Sequence, residues 1–174
     1  MADRVVFILI FALIKIRMRR KLHLLFFFLI IGKFLFSQAP ELTENSKISL
    51  LTCAAGDELY SAFGHTAFRV QDPSLGIDVV YNYGTFDFNQ PNFYLNFTKG
   101  RMIYSLSRRN FETFLYEYEL EKRWVKEQIL DLNLEQRNQL LAFFEENYLP
   151  QNRDYPYDPL LNNCSSITGD ILKE

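Results

Sequence analysis

The stretch "HTAFRVQDPSLGIDVVYNYG", residues 65–84, decides the fold. "HTAFRVQ" alternates in the manner of a strand, "DPSLGI" carries the Asp-Pro and Gly of a turn, and "DVVYNYG" resumes the strand. The residues predict a β-hairpin. With the turn centred on "DPSLGI", Gln71 pairs with Asp78 and His65 falls opposite Gly84, with Asn82 diagonal to it on the same face. A slip of one residue would present Tyr81 or Tyr83 instead, because alternate side chains point to opposite faces.

Upstream, "ISLLTCAA" reads as a first buried strand, and "GDELYSAFG" as a loop or short helical turn with a glycine at each end. Downstream, "TFDFNQPNFYLNFTKG" is aromatic and irregular, and "RMIYSLS" is a further strand. The period changes at Asn110: Phe111, Phe114, Leu115 and Tyr118 share one helical face. "RWVKEQILDLN" is a strand or extended linker, and "LEQRNQLLAFFEENYL" a second helix that stops at Pro150. "PQNRDYPYDPLLNN" is a loop that delivers the chain to Cys164. The pattern is α+β, a small antiparallel sheet with packed helices.

The first 37 residues differ from the rest. Two apolar runs flank "KIRMRRK", and the second, read from Met18, has a basic start, an apolar middle and the small Ser37. That is the anatomy of a secretory signal preceded by an upstream extension, with an N-terminal membrane anchor as the alternative. Residues 38–47 form a polar linker and 48–174 the exported domain. Of the 19 Lys/Arg and 21 Asp/Glu, seven and one lie in the leader, leaving 12 against 20 and a formal charge of −8. So acidic a domain argues against a nucleic-acid partner. Membrane association would come through the N-terminal segment.

Two residues carry the chemistry. In "NNCSSITGDILKE", Asn163 is a good N-cap, which puts Cys164 in the first turn of a helix. There the unpaired N–H groups and the helix dipole favour a thiolate, and the same N–H groups could hold an oxyanion. The exported domain has one histidine, His65, after Gly64. Either residue alone is more often structural than catalytic; together they suggest a nucleophile and its base. Asn82, or Asp87 from the aromatic stretch, would orient the imidazole. Tyr60 and Tyr83 are candidate substrate-binding residues, while Asp57 and Glu58 read as surface charge. Cys53 reads as a buried core residue, although an exported pair of cysteines can also form a bridge. Two cysteines and one histidine make a poor zinc set, so no metal and no cofactor are predicted.

"LLTCAAGDELYSAFGHTAFRV", "YNYGTFDF" and "NNCSS" resemble the Lnb N-terminal periplasmic domain family of bacterial envelope proteins, over about Ile48 to Asp170. The order of His before Cys also resembles circularly permuted relatives of the NlpC-type peptidases and of lecithin:retinol acyltransferase. That resemblance implies a permuted papain-like arrangement, with Cys164 as nucleophile, His65 as base and Asn82 as orienter. It implies a thiol hydrolase or acyltransferase acting on an amide or ester of an envelope component, a cell-wall peptide or an acyl lipid. The alternative is a non-catalytic envelope module. Members of the family usually continue well beyond the cysteine, so the resemblance also implies a last helix cut short.

Overall fold

The computed structural model of the chain describes residues 40–173, apart from 59, 88 and 90. The leader or anchor read in the first 37 residues lies outside them. The described residues form six strands and four helices. The strands are β1 (Lys47–Cys53), β2 (His65–Asp72), β3 (Ile77–Thr85), β4 (Ile103–Asn110), β5 (Val125–Ile129) and β6 (Asp154–Pro156). The helices are α1 (Phe93–Thr98), α2 (Phe111–Leu120), α3 (Leu134–Tyr148) and α4 (Cys164–Ile171). The strands make one sheet in the order β5-β1-β2-β3-β4-β6, and every neighbouring pair is antiparallel.

The central hairpin has the register expected from its turn: Gln71 pairs with Asp78 and Phe68 with Tyr81. Arg69 fastens that register with two parallel bonds to Asp78, Nε to Oδ1 at 2.7 Å and Nη2 to Oδ2 at 2.6 Å. A forked guanidinium–carboxylate pair fits one geometry only, so a slipped hairpin would lose it.

Strand alternation divides the core between the two sheet faces. On one face Leu51, Cys53, Ala67 and Val80 pack against Phe114 and Tyr118 of α2. On the other, Ile48, Phe68, Val70, Tyr81 and Tyr83 pack against Leu141 and Phe144 of α3, with Ile167 and Ile171 of α4 at the margin. Phe144 rests on Tyr81 in a stacked arrangement, ring centroids 4.8 Å apart. A third cluster joins Phe93 of α1 with Met102 and Tyr104, and Phe86, Tyr155 and Tyr157 pack on it.

Three segments differ from their sequence reading. The irregular aromatic stretch contains the one-and-a-half-turn helix α1, held by Phe93 in that third cluster. The loop before Cys164 contains β6, whose Tyr155 pairs with Tyr104 of β4. A three-residue edge strand tolerates Pro156, whose missing N–H would break an interior one. The polar linker is docked as well: Leu42 is buried, and Thr43 donates to the buried carboxylate of Asp72 from its N–H (2.6 Å) and its hydroxyl (2.9 Å).

Candidate functional site

Helix α4 begins where the sequence places its cap. Asn163 has extended backbone angles, and its side-chain oxygen accepts from Ser165 N–H (2.9 Å) and Ser166 N–H (3.1 Å). Ser166 Oγ returns the bond to Asn163 N–H at 2.9 Å, completing a capping box. Cys164 is therefore the first residue of the helix, where the dipole favours negative charge. The cap also corrects an expectation. The N–H groups of Ser165 and Ser166 are occupied by Asn163 and are not free for an oxyanion, whereas Cys164 N–H has no hydrogen-bond partner among the described residues.

A polar contact ties the helix to β2. Thr168, a turn beyond Cys164 and buried, lies with its hydroxyl 3.2 Å from that of Thr66. Thr66 follows His65, so this contact sets the cysteine's end of α4 against the histidine's end of β2. Sequence reading did not single out either threonine. Only the i, i+4 spacing from Cys164 to Thr168 hints that the two share a helical face.

His65 is held from both sides of the sheet and from beyond its end. Cys53 of β1 is its cross-strand partner. On β3, Asn82 Oδ1 lies 2.5 Å from His65 Nε2. A carboxamide oxygen only accepts, so Nε2 carries the proton and Nδ1 is left as the basic nitrogen. Cys164 lies beside the same imidazole, the two meeting across Gly84. Burial pushes the Cys164 thiol up, but the neighbouring His65 imidazole first, and then the Thr66 backbone N–H and the Ser165 hydroxyl, outweigh it. The result is a pKa lowered from 9.0 to about 7.

Two glycines make this arrangement possible. Gly84 sits at a register shift in the β3–β4 pairing with φ +117°, and a Cβ there would stand 3.2 Å from His65 Cε1 and 3.9 Å from Cys164 Cβ. The imidazole and the cysteine thus meet in the space that a side chain would fill. Gly64 has φ +74°, and a Cβ would lie 2.8 Å from the Cys53 carbonyl oxygen. Its close neighbour is the backbone of β1, which it must skirt as the chain enters β2.

The other candidates fall into place around this centre. Tyr60 lines a cleft of about 220 Å³ together with Ser61, His65, Asn82, Gly84 and Phe86. The far wall carries the Arg109–Glu117 ion pair, and Cys164 is not part of the lining. Tyr83 is a core residue on the opposite sheet face, its hydroxyl accepting from Asn147 Nδ2 at 3.1 Å, and not a cleft residue. Asp87 accepts from Asn89 of its own loop instead of facing the imidazole. Cys53 is a free, buried thiol packed with Tyr118, and Cys164 is free as well, so the two are not bridged. No group of three or more candidate metal ligands occurs among the described residues.

The profile of the Lnb N-terminal periplasmic domain matches residues 42–174, and the chain belongs to that family. A periplasmic or envelope location follows from membership in a family of periplasmic domains. No curated protein matches the chain. No solved structure matches it. None of the described helices is long and apolar enough to cross a membrane.

Proposed function

We propose that this member of the Lnb N-terminal periplasmic domain family is a thiol hydrolase or acyltransferase of the cell envelope, with a permuted papain-like site. The observation that carries the proposal is the imidazole of His65, bonded to Asn82 through Nε2 and set beside Cys164 in space left by Gly84. Cys164 Sγ attacks the carbonyl carbon of an amide or ester while His65 Nδ1 accepts the thiol proton. The carbonyl π pair moves to oxygen, then returns and expels the amine or alcohol, which takes the proton from His65. The acyl-enzyme is resolved by water in a hydrolase, or by an acceptor amine or alcohol in a transferase. Asn82 keeps the imidazole in the required tautomer and rotation.

The rim of the site supports an acyl-bearing substrate over a polar peptide. Phe63, two residues before His65, is 96% exposed, and Leu160 and Leu161, just before Cys164, are 84% and 80% exposed. Fully exposed apolar side chains on both loops leading into one site suit contact with hydrocarbon. The second reading, a non-catalytic binding module, is favoured by the position of Cys164 outside the cleft wall.

An activated ester separates the two. Incubation with p-nitrophenyl acetate at pH 7.5, followed by intact-mass measurement, is expected to show about one acetyl group per chain, absent in Cys164→Ser. Wild-type protein that stays unacylated, or acylation that survives Cys164→Ser, would leave the binding-module reading in possession.

A further inference from the structure

Attack on a carbonyl places negative charge on oxygen, and thiol sites of this kind hold that oxygen with aimed donors. Helix α4 offers one free donor, the N–H of Cys164, because Asn163 occupies the next two. Resting on the thiol reading above, we propose that the hydroxyl of Tyr155 is the second oxyanion donor, which makes Tyr155 a catalytic residue.

The first support is an unpaired group. Tyr155 Oη is the one buried side-chain nitrogen or oxygen among the described residues without a hydrogen-bond partner. Buried hydroxyls are almost always bonded, and an orphan in a native fold marks a donor kept for something else. The second support is position. Tyr155 is carried by β6, paired to Tyr104, with its ring centroid 6.3 Å from that of Tyr83. It packs on the same core cluster as Ile167 and Ile171 of α4, the helix that Cys164 begins. Tyr104 and Tyr157, stacked at 4.1 Å, complete an aromatic wall, and all three tyrosines sense the charge of Cys164. For Tyr155 that charge outweighs the influence of each neighbouring tyrosine.

The hydroxyl is also held in the correct state. Burial first, and then the Cys164 charge, push Tyr155 well above the ordinary phenol range, so it remains protonated and able to donate. As the Sγ–C bond forms and the π pair moves to oxygen, Tyr155 Oη–H donates a hydrogen bond to that oxygen without giving up its proton. When the intermediate collapses, the carbonyl re-forms and the bond weakens.

Two probes on the full chain test this role. Iodoacetamide alkylates a thiolate by displacement at saturated carbon and forms no oxyanion; p-nitrophenyl acetate acylates it through one. In Tyr155→Phe the acylation rate is expected to fall about 10²-fold. The alkylation rate, its pH midpoint and the melting temperature should stay at wild-type values. An unchanged acylation rate would overturn the assignment, as would a parallel fall in both rates. A variant that fails to fold would show the hydroxyl to be structurally bonded and would overturn it too. Wild-type protein that p-nitrophenyl acetate does not acylate at Cys164 would instead remove the thiol reading itself, and this inference with it.

Discussion

The two cysteines stand on either side of the same imidazole and have opposite chemistry. Cys53, opposite His65 on β1, is pushed up to about 11, chiefly by burial, against which the Tyr118 hydroxyl and the Arg123 charge are too weak. Cys164 is also raised by burial, yet the His65 imidazole and the Thr66 backbone N–H bring it down to about 7. Burial acts in the same direction on both. What separates them is whether the donors and positive charge around the sulfur outweigh burial, as they do at the helix start and not in the α2-facing core.

The comparison breaks most easily through alkylation. At pH 7 about half of Cys164 is thiolate, against about one Cys53 in ten thousand; the more basic thiolate is intrinsically faster and recovers about a hundredfold. Cys164 is thus expected to react with iodoacetamide about 10²-fold faster than Cys53 before burial is considered. Peptide mapping of partly labelled native protein reads the ratio, and comparable labelling of both would abolish the distinction.

Next in size is His65→Ala. With burial left acting and the imidazole gone, the Cys164 thiol should rise to 9 or above, and alkylation at pH 7 should fall about tenfold or more. The sign is specific: the wild-type rate climbs as pH rises through about 7, whereas the variant climbs only at alkaline pH. A midpoint that stays near 7 would mean that the helix start alone activates the sulfur.

Gly84→Ala should act less on the thiol and more on the base. The new methyl group stands 3.2 Å from His65 Cε1 at a φ of +117°, so the imidazole must turn away from Asn82 or the strand must shift. We expect a loss of about 1 kcal/mol or more in urea unfolding, together with slower ester acylation. An unaffected variant would show that the imidazole has room to spare.

The smallest effect is expected from Thr168→Val, which removes the hydroxyl contact between α4 and β2. A loss of about 1 kcal/mol in the urea midpoint, with the alkylation midpoint kept near pH 7, would identify the pair as an anchor. A displaced midpoint would show that Thr168 tunes the thiol as well as holding the helix.

Much of this was legible in the residues because it rests on local rules. The Asp-Pro and Gly of the turn determine the hairpin register, and that register carries Gly84 and Asn82 to the His65 end of the hairpin. Asn163 announces the helix start by the capping chemistry of one side chain. The six-residue helix α1 and the strand β6 escaped notice because neither is long enough to establish a period. The tyrosines of "DYPYD" alternate as an edge strand does, but Pro156 between them reads first as a loop.

What the chain order alone determined is the list of parts: one imidazole, two thiols, a helix cap and a hairpin register, each set by interactions a few residues long. Which thiol is the acid was decided only by tertiary structure. Cys53 and Cys164 are the same residue, and their acidity follows from the groups that sheet pairing and helix docking bring to each sulfur. Tyr83, read as a binding residue, was turned into the core by strand parity and the docking of α3. Tyr155 reached its place beside Tyr104 through pairing between β4 and β6, across about fifty positions. Such placements depend on which surfaces bury one another, and that is a property of the whole fold.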